Sequence, residues 1–179
     1  RYTAHIGEIR LKGVDLSGIL STGSLSVSHM EIYKLEAEVF RDKTKPPDPN
    51  KNTPLPSRSL ESMGFRLSLD TLRFEDSSLS YYERLPDTDK HVEVSFTGLM
   101  GEIRNIRSSQ WAEASEESLE LELQTDLLGA IEVSLALEMP YGKDALFIDG
   151  HTSGTSRLSE LNPTVYPALR MRFGGGRLD

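Results

Sequence analysis

Histidines, serines and carboxylates are the residues of this chain that could bind a metal or attack a substrate, and their spacing argues against both. His5, His29, His91 and His151 lie far apart, and no two stand at a close metal-ligand separation. Gly150-His151-Thr152-Ser153-Gly154 has the glycines of a nucleophile elbow, but that turn needs serine at its centre, where Thr152 stands. Asp87-Thr88-Asp89 offers two carboxylates without the glycine and distal glutamate of a calcium loop, so a solvated turn is expected. Gly174-Gly175-Gly176 opens no helix and so presents no row of N–H groups to a phosphate. Glu116, Glu117, Glu120 and Glu122 look like paired acids, yet alternation puts Glu120 and Glu122 on the polar face of a strand. Cysteine is absent, which removes thiolate nucleophiles, disulfides and cysteine-based metal sites. With no convergent acid, base and nucleophile, the expectation is a non-catalytic chain without metal or cofactor.

Two aromatic features point to surfaces instead. Trp111 stands alone in a polar stretch, where it would cap the end of a core or make a binding contact. Tyr81 and Tyr82 fall on opposite faces of one strand, so only one of them can join a core.

Strands are the elements that must position these residues. Leu119, Leu121 and Leu123 alternate with Glu120, Glu122 and Gln124, and Ile131, Val133, Leu135 and Leu137 alternate with Glu132, Ser134, Ala136 and Glu138. With a turn at Asp126-Leu127-Leu128-Gly129, this reads as an antiparallel hairpin with one apolar face. Another strand carries Val92, Val94 and Phe96 on to Ile106, bent or bulged at Gly98 and Gly101. Helical signals are short: 14–20, 60–63 and a turn at 158–161. Residues 43–59 hold five of the nine prolines, and 108–118 are rich in Ser and Glu; both read as loops. Leu169 to Phe173 reads as a further strand.

The strongest organising signal is an internal repeat at an offset of 42 residues. Ser24 to Ile32 lies over Arg66 to Phe74, continuing with Ala37 over Leu79 and Val39 over Tyr81. Each copy places apolar residues at alternate positions, takes a three-residue step (Val27 to Met30, Leu69 to Leu72), then resumes alternation. Such a step turns the apolar residues to the other face unless a bulge absorbs one residue, so both copies are expected to bulge at the same place. The second copy is expected to turn at 75–78 and return through Leu79 to Glu83. The fold class that follows is all-β and mainly antiparallel, a twisted or curled sheet or a sandwich of repeated strand units with a few short helices.

A net charge of −8 with scattered Lys and Arg disfavours nucleic acid as a partner, since no face concentrates cations against phosphate. No stretch approaches the ~18 apolar residues of a spanning helix. Residues 1–179 read as one β-rich domain. Because the chain opens on Arg1 and runs to a glycine-rich end, it is expected to be a segment of a longer protein.

From Pro54 to Ile106 the chain resembles the AsmA-like proteins of Gram-negative envelopes, particularly the form found in Bacteroidetes. The resemblance is carried by Thr53-Pro54-Leu55-Pro56, by Leu67-Ser68-Leu69-Asp70-Thr71-Leu72-Arg73-Phe74 running on through Leu79-Ser80-Tyr81-Tyr82-Glu83, and by Val94-Ser95-Phe96-Thr97-Gly98-Leu99 running on to Ile103-Arg104-Asn105-Ile106. The segment Leu158 to Pro163 and the run Leu169 to Gly176 fit the way that family ends such a unit. What the resemblance implies is a long β-sheet bent into an apolar-lined groove, periplasmic and tethered to the inner membrane by a helix outside this chain. It further implies a role in moving lipids between membranes or in outer-membrane biogenesis. A groove of this kind would be lined by Leu67, Leu69, Val92, Val94, Leu119, Leu121, Leu123, Ile131, Val133, Leu135 and Leu137, with lipid acyl chains as partners and no polar anchor. A closed sandwich would bury the same residues against one another, as in a cell-surface adhesion or glycan-binding module, which is the alternative function.

Overall fold

The computed structural model describes residues 1–44, 54–86, 91–108, 110–113, 116–129, 131–153, 158–162, 166 and 172–175. Seven strands form one sheet in chain order: β1 (Tyr2–Val14), β2 (Ser24–Asp42), β3 (Arg66–Arg84), β4 (His91–Arg107), β5 (Ser118–Leu127), β6 (Ile131–Pro140) and β7 (Phe147–Ser153). All neighbours are antiparallel except β2 and β3, which run parallel. The fold is therefore predominantly β and mostly antiparallel, as expected, and it takes the single-sheet form: no second sheet is present among the described residues.

The 42-residue repeat is the register of the parallel pair. Ser24 lies beside Arg66, Val27 beside Leu69, Ile32 beside Phe74, and the same offset holds to Asp42 beside Arg84. Apolar residues therefore meet at Leu25–Leu67, Val27–Leu69, Met30–Leu72, Ile32–Phe74 and Ala37–Leu79, which is what two alternating strands of the same pattern need to keep their apolar sides together.

The expected bulge is present and extends beyond the repeat. Gly13, Ser28, Asp70 and Asn105 form a row across β1 to β4, with Gly13 and Asn105 at positive φ (67° and 59°). Val27 and Met30 accordingly pack in one cluster despite their three-residue separation. A second row runs through Gly7, Lys34 and Asp76, and β4 answers it out of line with Gly98, because the β3–β4 register shifts on both sides of the Ser77–Leu99 pair. Lys34, Asp76 and Gly98 have φ of 55°, 49° and 58°. Residues 75–78 form a kink inside the continuous strand β3 rather than the expected reversal. The left-handed Asp76 absorbs one residue, and the chain goes straight on. Both rows stop at β4, because β5 is regular and its pairing with β4 slips by one residue between Thr97 and Met100.

Short helices sit at the end of the sheet that carries Ser24 and Arg66. Asp15 caps α1 (Leu16–Thr22) by accepting the Ser17 N–H at 3.0 Å, and Gly23 at φ 66° ends it. Pro56 opens α2 (Pro56–Glu61), and α3 spans Gln110–Glu113. The core is a strip at this end: Val27, Leu69, Ile106, Ala112, Leu119, Met139 and Tyr141, joined by half-buried Leu60 and Leu67. Tyr141 pins the bulge there, accepting from the Arg107 N–H (2.9 Å) and donating to the Asn105 carbonyl (2.6 Å). Both expected loops thus contain helix: α2 starts within 43–59 and runs on to Glu61, and α3 lies within 108–118. Residues 45–53 and 87–89, and most of the strand expected at 169–173, lie outside the described residues.

Candidate functional site

Pairing places all eleven residues named as groove lining on one face of the sheet. Leu121 and Leu137 belong to a row that crosses every strand: Leu11, Met30, Leu72, Ile103, Leu121, Leu137 and Ile148. Leu123 and Leu135 belong to the next, with Ile9, Ile32, Phe74, Gly101 and Gly150. Leu67 and Leu69 open the face at the helical end. Val133, Ile131, Val94 and Val92 continue it towards the other end, where Ala37, Leu79, Phe96 and Leu127 share their side. The two bulge rows make this possible, since without them β1 to β4 would turn their apolar residues over at each step.

Covering is unequal along this face. Leu69, Leu119, Ile131 and Val92 are buried, whereas Leu67, Val94, Leu121, Leu123, Val133, Leu135 and Leu137 are half-buried. At the two edges, Leu11 is 48% and Ile148 63% exposed. The chain exposes 11882 Å² in all, about a third above the ~8,700 Å² of a compact protein of this mass.

Gly101 is where the face is tightest. A side chain on it would overlap the Glu122 carbonyl oxygen and stand 2.7 Å from Phe74 Cζ. The Phe74 ring thus occupies the space above Gly101, a reason for glycine that differs from the bend expected at this position.

Charge pairs stitch the opposite face. Arg73 meets Glu102 at 2.9 Å, and Arg104 meets Glu102, Glu120 (3.1 Å) and Glu122. Glu120 and Glu122 are thus partners of one guanidinium rather than a pair of acids. Exposed pairs of this type contribute ~0.2–1 kcal/mol each and act mainly by keeping this face wet. Clefts open on this side too. One of about 360 Å³ lies over β4 to β7 between Met100, Glu102, Gln124, Ser134, Ala136 and His151, with Leu123 and Leu135 also reaching it. The clefts and the main apolar surface are therefore on different sides, unlike the groove expected from sequence.

The apolar face ends in a polar group. Glu83, 9% exposed, receives the Tyr81 hydroxyl at 2.6 Å and pairs with Lys43 at 2.7 Å. Burial disfavours its charge, but the hydrogen bonds from Lys43 and Tyr81 and the nearby Lys43 and Arg41 charges prevail and hold its carboxyl below the usual range. Among the described residues no three metal-binding side chains cluster, and no helix is long and apolar enough to cross a membrane.

Sequence reasoning left out half of this face: Leu11, Met30, Ile32, Leu72, Phe74, Ile103 and Ile148. The repeat itself could have supplied four of them, because the 42-residue offset pairs Met30 with Leu72 and Ile32 with Phe74. No protein-family model matches this chain, and no curated protein and no solved structure is significantly similar to it.

Proposed function

We propose that the chain is a non-catalytic segment of an AsmA-like envelope protein and that its apolar sheet face takes lipid acyl chains during transport between membranes or outer-membrane biogenesis. The observation carrying this reading is the apolar row from Leu11 to Ile148, seven strands wide and left half-buried or exposed. Acyl chains laid on it would gain ~0.8 kcal/mol for each methylene removed from water. In this reading the protein works in the periplasm, held at the inner membrane by a segment outside this chain. The charged face keeps the other side in water. An adhesion or glycan-binding module was the alternative for a closed sandwich, and the single sheet offers it no specific support.

The test is titration of the purified chain with a phospholipid carrying a fluorophore at the end of its acyl chain. Saturable enhancement, displaced by unlabelled fatty acid, is expected. An unchanged probe spectrum, together with a single cooperative unfolding transition, would sink the lipid reading.

A further inference from the structure

We propose that β1 is the edge along which a second copy of this chain adds to the sheet, antiparallel and with Arg10 on the two-fold axis. Every residue of β1 except Val14 is exposed, and among the described residues β1 is paired on one side only. Arg1 and Phe40 exchange both backbone hydrogen bonds at 2.9 Å. Antiparallel alternation then turns the N–H and C=O groups of Ile6 outward, away from β2, and at the other end the Asp15 N–H bonds the Ser26 carbonyl (2.9 Å), which leaves those of Val14 outward as well. A 13-residue edge with apolar Ile6, Ile9 and Leu11 at 40–51% exposure is a template for another strand.

The bulges select which strand fits. Within the sheet, Gly13 stands opposite Ser28 and Gly7 opposite Lys34, each extra residue answered by one in the neighbour, so register is kept along the whole of β1 and β2. A regular strand laid on β1 would lose register at these places, as β5 does on β4 beside Gly98. The other edge, β7, has seven residues and no positive-φ residue, so it cannot answer two bulges. A second β1 can. Centred on Arg10, the antiparallel register sets Gly7 against Gly13 twice, Ile9 against Leu11, and Ile6 against Val14. Bulge then meets bulge, and the apolar rows continue unbroken into the other copy.

Charge agrees with that register. Glu8 of each copy comes opposite Lys12 of the other, a contact of opposite sign that adds to the pair Lys12 already makes with Glu31 (2.9 Å). The two Arg10 residues face one another, a like-charge contact that each tempers through its own Glu8 (2.7 and 3.1 Å) and by lying 4.8 Å over the Tyr33 ring.

Sedimentation velocity over a wide concentration range reads the association directly, with a twofold rise in mass expected. Lys12→Glu should abolish it, whereas Glu31→Gln, which removes only the partner of Lys12 within the chain, should leave it intact. The absence of cysteine gives a positional readout. Opposed residues in an antiparallel pair lie within disulfide reach, so Arg10→Cys should form a covalent dimer on mild oxidation. His5→Cys, equally on β1 but off the axis, should not. A wild-type chain that stays monomeric at all concentrations, or equal cross-linking of the two cysteine variants, would overturn the proposal.

Discussion

Lys34 and Asp76, 42 residues apart, occupy corresponding positions of two parallel strands, and both are left-handed, at φ 55° and 49°. Two non-glycine residues in that region at equivalent sites of a repeat mark a kink built into the unit. Left-handed backbone costs an L-residue ~1–2 kcal/mol, and less for Asp, whose side chain bonds locally. Replacing Lys34 by glycine should therefore be neutral or stabilising by up to ~1 kcal/mol, whereas Lys34→Val should destabilise by ~1–2 kcal/mol. At Glu36, two residues on in regular strand, the order should invert, with valine preferred to glycine. Urea unfolding midpoints of the four variants check this. The same ranking at both positions would remove the kink from the account.

Gly101 and Gly150 lie in one apolar row but differ in space. Gly101→Ala should destabilise by ~1–3 kcal/mol or more, because the added methyl meets the Glu122 backbone as well as the Phe74 ring. Gly150→Ala, whose methyl would make an ordinary 3.5 Å contact with Leu135 Cδ1, should be nearly neutral. Thermal unfolding of the two variants separates close approach from a general intolerance of alanine in strands.

Tyr141 gives a prediction on the alkaline side. Burial pushes its phenol above the ordinary value, an effect opposed by the Arg107 backbone N–H. A raised acid in the folded state contributes stability that is present below its unfolded value and is lost as pH rises through the folded one. Stability should accordingly fall above about pH 10, and Tyr141→Phe should shallow that fall. At neutral pH the same variant leaves the Arg107 N–H and the Asn105 carbonyl without their partner, at ~1–3 kcal/mol. Denaturant midpoints at neutral and alkaline pH measure both effects.

Glu83 sets the opposite dependence. Its carboxyl is held low in the fold, so its contribution is present above the unfolded carboxylate range and is lost as pH falls through the folded value. Glu83→Gln should be less stable at neutral pH and should lose less on acidification. An acid profile of the variant that parallels the wild type would show that the Lys43 and Tyr81 contacts do not hold Glu83 in its charged form.

The elements legible in sequence were those whose pattern is unbroken. The β5–β6 hairpin showed itself through uninterrupted alternation, and the repeat marked β2 and β3 as copies of one pattern, although their parallel pairing at that offset is visible only in the structure. β1 was missed because its apolar positions (2, 4, 6, 9, 11 and 14) change phase at Gly7 and again at Gly13, so no alternating run is long enough to see. The second bulge row was hidden by Ser77, a polar residue on the apolar side whose hydroxyl bonds the Leu35 N–H at 3.2 Å and the Glu75 carbonyl at 2.9 Å. Serine among Glu75, Asp76 and Ser78 looked like a turn. β7 escaped because an exposed edge strand has no buried side to impose a pattern. The candidate surface was legible as a set of residues. Its extent across seven strands required the pairing.

Where an acyl chain lies on the protein is the most direct question. A fatty acid carrying a nitroxide on its chain, added to the methyl-labelled protein, broadens the resonances of methyl groups it touches. The account predicts loss of the Leu72, Leu121, Leu135 and Leu137 methyl signals, while the Ala136 methyl, between the last two but on the charged face, stays sharp. Broadening of Ala136 with the leucines spared, or none at saturating probe, would contradict an apolar face that receives lipid.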